Sequence, residues 1–157
     1  MRIGVSGHQR LPSEAVAYIR QGITAFLDTM KSGLIGVSSL AAGADQVFAS
    51  AVLEAGGRLH VILPCHNYEG SFDTQSSLDG FWALFKRAEK VDLLDHPEPS
   101  EEAFLDAGRR VVDSSDLLLA VWDGKPAKGR GGTGDAVEYA RSRGTKVEVI
   151  WPEGVTR

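Results

Sequence analysis

Residues 34–63 read LIGVSSLAAGADQVFASAVLEAGGRLHVIL, and this stretch decides the fold class. It begins with the short apolar run Leu34–Val37 and ends with a second one, Leu59–Leu63, which Pro64 closes. A strand, a helix and a strand in this order predict a β-α-β unit with parallel strands. Between the two runs, apolar residues recur every three or four positions, as on one face of a helix: Ala44, Val47, Phe48, Ala51, Val52 and Ala55.

The alternation of predicted strands and helices continues on both sides of this unit. It predicts an α/β domain with a mainly parallel sheet of about six strands. Ser13 and Ser100 stand where N-caps of the first and fourth helices are expected. Further strands are predicted at Ile3–Ser6, Val91–Leu94, Leu117–Val121 and Val147–Ile150, and further helices over 14–31, 78–88, 104–112 and 133–144.

Length and composition narrow the class of protein. The chain has 157 residues, which is the size of one domain, and 43% hydrophobic with 24% charged residues is ordinary for a globular protein. No apolar run approaches the roughly 20 residues of a membrane span. The net charge of −4 disfavours a general nucleic-acid role, and the single Cys65 excludes an internal disulfide. We expect a cytoplasmic protein, because the first residues lead straight into a strand without a signal peptide.

Polar and glycine-rich turns follow the first, second, third and fifth strands. In parallel sheets, ligands bind outside the carboxyl ends of the strands, so these turns are expected to form one site. The candidate ligand-binding residues are Gly7, His8 and Arg10; Ser38, Ser39, Leu40, Gly43 and Asp45; Pro64; and Trp122, Asp123, Gly131, Gly132, Thr133, Gly134 and Asp135.

Two of these turns open helices. Glycines at 131–134 let backbone N–H groups approach an anion closely, and the helix that follows has a positive N-terminus. A phosphate or a sugar hydroxyl suits this place. Alternatively, the turn only redirects the chain, and Thr133 is the N-cap of the helix. Ser38, Ser39 and Gly43 form a second helix entrance, where Ser39 has the alternative role of a cap and Asp45 that of complementing the helix dipole.

Other chemistry-bearing residues have weaker patterns. His8 suits a general acid or a ligand donor, and equally a hydrogen-bonding loop residue. The four histidines lack metal-ligand spacing, and no serine–histidine–acid triad can be identified. Cys65 and His66 are adjacent on an extended segment and point to opposite sides, which argues against a thiolate pair. No metal and no cofactor are therefore predicted.

Three motifs make the chain resemble the SLOG superfamily, whose Rossmann-like domains include the DNA-processing protein A domain and the Lonely Guy phosphoribohydrolases. Residues 3–10, IGVSGHQR, resemble its GVTGHR opening; residues 36–45, GVSSLAAGAD, are similar to its second motif; and residues 115–124, SDLLLAVWDG, followed by 131–133, are similar to its third. The resemblance implies a Rossmann-like three-layer α/β/α fold, with residues 1–157 as one nucleotide-binding domain.

What the resemblance implies for function is a pocket for a nucleotide or a nucleotide derivative at the carboxyl edge of the sheet, used in a sensory or regulatory role. The expected partner is this small molecule. We expect no binding to membranes, nucleic-acid binding is disfavoured, and a homo-oligomer is compatible with the resemblance. Single-stranded DNA binding is a third alternative that the charge disfavours. The basic residues within 125–130 read more simply as a solvated surface.

The resemblance also implies an alternative, an enzyme that cleaves the N-glycosidic bond of nucleoside 5′-monophosphates. The Lonely Guy motif Pro-Gly-Gly-x-Gly-Thr-x-x-Glu falls on Gly131, Gly132, Gly134 and Glu138, but Arg130 replaces its proline and Asp135 its threonine. In this alternative Glu138 is the acting carboxylate and Arg109 or Arg110 binds the phosphate. Asp135 would repel that phosphate by about 1–4 kcal/mol at 4 Å, which favours a pocket of different orientation.

Overall fold

The computed structural model describes residues 1–30, 33–126 and 130–156, and strands alternate with helices throughout these ranges. The strands are β1 (Arg2–Gly7), β2 (Ile35–Ser38), β3 (Arg58–Leu63), β4 (Ala88–Leu93), β5 (Leu117–Val121) and β6 (Lys146–Ile150). The helices are α1 (Ser13–Asp28), α2 (Ala44–Glu54), α3 (Gln75–Phe85), α4 (Glu101–Asp113) and α5 (Thr133–Ser142), and a 3-10 turn spans Tyr68–Ser71.

The strands form one six-stranded sheet in the order β4-β3-β2-β1-β5-β6, and every neighbouring pair is parallel. The predicted α/β fold with about six strands is confirmed. β1 lies inside the sheet, with Ile3 opposite Gly36 of β2 on one side and Leu117 of β5 on the other. The strand order reverses between β1 and β5, and in open parallel sheets a ligand crevice forms at such a reversal.

Helices cover both faces of the sheet, as the three-layer architecture requires. All five residues of β5 are buried, because both of its faces are covered. On one face, α1, α2 and α3 contribute side chains such as Ile19, Phe48 and Phe81 to the core. On the other face, Val111 of α4 and Val137 of α5 pack with the sheet residue Leu118.

Some element boundaries differ from the predicted ones because caps set them. The helix expected over 78–88 begins earlier, since Thr74 accepts a hydrogen bond from Ser77 N (3.1 Å), and Ala88 already belongs to β4. Ser13 is the first helical residue of α1 and not its N-cap. The expected end at Lys31 lies outside the described residues. The Ser100 cap of α4 is confirmed by its bond from Ala103 N (3.0 Å).

Among the described residues, no helix combines the length and the apolar character that crossing a bilayer demands.

Candidate functional site

The turns after β1, β2, β3 and β5 border one open cleft of about 1390 Å³. The structure therefore brings together the loops that the sequence placed at the carboxyl edge of the sheet. That they bind a ligand stays a prediction. The candidate residues that line this cleft are Gly7, His8, Arg10, Ser39, Gly43, Asp45, Pro64, Gly131, Gly132 and Thr133.

The remaining candidates lie outside the cleft wall. Ser38 and Leu40 are buried, and Asp123 contacts His8. A second depression of about 350 Å³ is lined by Trp122, Gly134, Asp135 and Glu138, among others. The structure thus separates Glu138 from the cleft beside Gly131 and Gly132.

The two candidate arginines also point elsewhere. The guanidinium of Arg109 lies 5.3 Å from the centre of the Tyr139 ring, and that of Arg110 lies 3.9 Å from a carboxylate oxygen of Asp92. Neither side chain lines the cleft or the second depression among the described residues. The three residues proposed for glycoside hydrolysis therefore line no common cavity among the described residues, and their role in hydrolysis stays a prediction.

The turn between β2 and α2 is built around the buried carboxylate of Asp45. The Ser38 hydroxyl and the Ala41 N–H both donate to Asp45 Oδ2, at 3.2 and 3.4 Å. The Leu40 N–H donates to Ser38 Oγ at 2.9 Å, and Leu40 adopts a left-handed conformation with φ 56°. Asp45 therefore does more than complement the helix dipole, because it organises the turn that forms one wall of the cleft.

Burial raises the pKa of Asp45 from its usual 3.8 to about 7. Hydrogen bonds from Ala41, Ser38 and Ser39 act in the opposite direction, but they offset only part of the cost of removing the carboxylate from water. The carboxyl group at the centre of the turn therefore changes between its protonated and ionised forms near neutral pH.

This shift predicts a pH-dependent stability. Between pH 3.8 and about 7 the folded chain keeps a proton on Asp45 that the unfolded chain releases. The contribution of this group to the free energy of unfolding is therefore full below pH 3.8, falls as the pH rises, and is lost above about 7. Asp45→Asn, which does not titrate, should have a flatter profile than the wild type across this range. Urea denaturation at several pH values measures it, and parallel profiles for the two proteins would contradict the shift.

Gly43 precedes α2 where two loops touch. Its φ is 80°, and a β-carbon there would lie 2.3 Å from the carbonyl oxygen of Gln9 and 2.6 Å from that of His8. Ala44 N donates to the same His8 carbonyl at 3.2 Å. No side chain caps α2, so the alternative role of Ser39 as its cap is not realised. The N-terminus of α2 borders the cleft with glycine at its N-cap position.

The entrance of α5 is a second glycine turn. Gly131 has φ 85°, and a β-carbon on it would lie 2.6 Å from Leu105 N in α4, so this glycine is needed for packing. The N-cap residue is Gly132, not Thr133, and no side chain caps the helix. The Thr133 hydroxyl instead accepts a hydrogen bond from Ser6 of β1 (3.3 Å). Asp135 turns back to accept from Gly131 N at 2.9 Å.

His8 joins the turns after β1 and β5 at the point where the strand order reverses. Its Nε2 accepts from Asp123 N at 3.2 Å and lies 3.3 Å from a carboxylate oxygen of Asp123. The ring packs edge-on against Trp151, with 5.3 Å between ring centres. These contacts fit the hydrogen-bonding role that the sequence left open for His8.

Aromatic residues that the sequence did not assign to the site form another wall. Tyr68 is buried in the 3-10 turn and lines the cleft together with Phe72 and Phe104. Burial, followed by the charges of Asp45 and Cys65, raises the pKa of Tyr68. A one-turn helix leaves no hydrophobic period, so periodicity could not find Tyr68. Phe104 lies in α4, whose helical period indicates burial but not a place at the cleft. The close spacing of aromatic residues was the only available signal.

The charges around the cleft are few and mixed. Arg10 and Arg20 line it together with Asp45, Asp73 and Glu101, and Arg10 already lies 3.3 Å from Asp73. Within the described residues there is no cluster of histidine, cysteine or carboxylate groups that could hold a metal ion.

No family model matches the chain, and no curated protein matches it in sequence. Solved structures of similar fold include DNA processing protein A from Streptococcus pneumoniae, with 18% identity and a TM-score of 0.67 over 94% of this chain. DNA processing protein A from Helicobacter pylori, whose structure is described with its single-stranded DNA binding mode, has 17% identity and a TM-score of 0.68 over 95% of this chain. The chain spans 49% and 64% of those two proteins.

A third similar structure is that of TM1055, with 16% identity and a TM-score of 0.59. The match covers 93% of this chain and 71% of that protein. At these identities the comparisons show the fold. The Rossmann-like fold implied by the resemblance to the SLOG superfamily is confirmed.

Proposed function

We propose that this chain binds a small nucleotide or nucleotide derivative in the cleft at the carboxyl edge of its sheet, in a sensory or regulatory role. One observation carries the proposal: α2 and α5 both begin at this cleft, each with glycine at its N-cap and without a side-chain cap. A helix N-terminus offers unpaired N–H groups and a partial positive charge of roughly half a unit, which suits a phosphate.

The other walls offer groups that recognise the rest of a nucleotide. The hydroxyls of Ser39 and Thr133 line the cleft and suit hydrogen bonding to a ribose. The aromatic side chains of Tyr68, Phe72 and Phe104 offer apolar surface for a base. The cleft volume of about 1390 Å³ exceeds the roughly 300–1,000 Å³ of typical ligand pockets, so the cleft is large enough for a mononucleotide.

The charges favour a small ligand over single-stranded DNA. Proteins that follow a DNA strand use a groove of lysine and arginine along successive phosphates. Among the described residues, two arginines and three carboxylic acids line the cleft, and Arg10 is already paired with Asp73. The positions of Lys125 and Arg130 do not change this balance, since neither lines the cleft. We therefore infer that this cleft does not follow a polynucleotide.

The arrangement of the site favours binding of the nucleotide without its hydrolysis. Glu138, the candidate acting carboxylate, lines the second depression, and Arg109 and Arg110 line neither cavity among the described residues. Among the described residues, three carboxyl groups line the cleft, those of Asp45, Asp73 and Glu101. Asp45 is held by the turn residues Ser38 and Ala41, and Asp73 lies 3.3 Å from Arg10.

Isothermal titration calorimetry with a panel of nucleoside mono- and diphosphates, inorganic phosphate and an oligothymidylate tests the proposal. We expect saturable binding of at least one nucleotide, no binding of the oligothymidylate, and recovery of AMP without free adenine after incubation. Binding of the oligothymidylate alone would instead support a DNA-binding function. Release of adenine that is lost in Glu138→Gln, while affinity is kept, would establish the hydrolase, since a group acting in the transition state lowers kcat more than it raises KM.

A further inference from the structure

β4 lies at one end of the sheet, so within the described residues only one side of its backbone pairs with a neighbouring strand. Leu94 N donates to the carbonyl of Leu63 in β3 at 2.9 Å, which fixes the direction of the backbone groups. Because N–H and C=O groups alternate in direction along a strand, those of Asp92 and Lys90 also point towards β3. The N–H and C=O groups of Val91 and Leu93 therefore point outwards, where another strand can pair with them.

Exposed apolar side chains are concentrated on β4 and on α3, the helix that precedes it in the chain. Among the described residues, six large apolar side chains are exposed, and three of them belong to α3 and β4. Trp82 is 41%, Val91 41% and Leu93 48% exposed. The opposite edge strand, β6, contributes only Val149 to this group.

The charges of β4 favour one way of pairing with a second copy. In an antiparallel pair around a two-fold axis, one residue faces its own copy, and residues equally far before and after it face each other. With Val91 at the centre, Lys90 of each chain faces Asp92 of the other, and two outward-pointing Val91 residues exchange both backbone hydrogen bonds. Centring on Lys90 or on Asp92 would instead place like charges opposite each other, which is unfavourable.

We propose that two copies of this chain associate through antiparallel β4–β4 pairing centred on Val91. The pairing joins the two sheets into one continuous sheet and covers Val91 and Leu93 of both chains. The charge of Lys90 would by itself protect an edge strand from association. In this pairing Lys90 lies opposite Asp92 of the second copy, which also bonds His60 of its own chain. β6 has a similar alternation of Lys146, Val147 and Glu148, and the experiment therefore compares the two edges.

Sedimentation equilibrium over a wide concentration range tests the proposal with Val91→Pro and the matched control Val149→Pro. Proline at 91 removes an outward N–H and leaves the β3–β4 bonds intact. Losing the two hydrogen bonds of the central pair should weaken dimerisation by about 10- to 100-fold. Lys90→Glu, which places like charges opposite each other, should weaken it as well. Val149→Pro should dimerise as the wild type does.

Circular dichroism and thermal unfolding of each variant establish that it is folded. A wild type that stays monomeric at all concentrations would overturn the proposal. A dimer that survives both Val91→Pro and Lys90→Glu would do the same, as would one that is lost only in Val149→Pro, because that result places the contact at β6.

Discussion

Gly43→Ala is expected to lower the free energy of unfolding by about 3–5 kcal/mol, which is enough to unfold a marginal domain. Two costs add at this position. The backbone has φ 80° and ψ −124°, a conformation that residues with a β-carbon avoid. The new β-carbon would also lie 2.3 Å from the Gln9 carbonyl oxygen, so the turn after β1 must move away from α2.

Gly56→Ala is the matched control for this prediction. Gly56 lies just beyond the other end of α2, has φ 81°, and has no atom within 4 Å of a β-carbon built on it. Gly56→Ala should lower the free energy of unfolding only through backbone strain, by about 1–2 kcal/mol. Guanidinium denaturation of both variants separates backbone strain from close approach, and equal losses would contradict the close approach at Gly43.

Gly132→Val is expected to weaken binding of the nucleotide by about 100-fold or more while the protein stays folded. The backbone of Gly132, with φ −78° and ψ 176°, is ordinary extended chain that valine adopts readily. A branched side chain at the N-cap of α5 would, however, occupy the space where an anion reaches the N–H groups of the first turn.

Gly108→Ala offers the control, because Gly108 also lines the cleft but has open space around its β-carbon position. It lies within α4, where alanine is a better helix former than glycine, so stability and affinity should both be kept. Calorimetry with whichever nucleotide binds the wild type measures both variants. Unchanged affinity in folded Gly132→Val would mean that the turn only redirects the chain.

Local patterns in the sequence were enough to predict the strands, the helices and the edge of the sheet that holds the cleft. Runs such as Leu117–Val121 and the helical period of α2 report burial directly, and the carboxyl ends of parallel strands must share an edge. The grouping of Gly7, Ser39 and Gly132 at one cleft follows from that geometry alone.

Contacts between distant segments could not be predicted in this way. The need for glycine at 131 arises from α4, whose Leu105 backbone lies against it. His60 gave no pattern in the sequence, yet it is buried and bonds Arg2 of β1 and Asp92 of β4 from the strand β3. The orientation of Glu138 likewise depends on how α5 packs. A helical period does not say whether this residue faces the cleft or the second depression.

The interior position of β1 has a consequence for how the protein is made. Ile3 pairs with Leu117, so at roughly 5–20 residues per second the ribosome releases β1 many seconds before β5 exists. In that interval β1 is an unpaired edge of an incomplete sheet, and Asp123, which contacts His8 in the folded protein, has not yet been synthesised. The cleft is therefore completed only after β5 and the turn with Gly131 have been synthesised, and β6 is added after it.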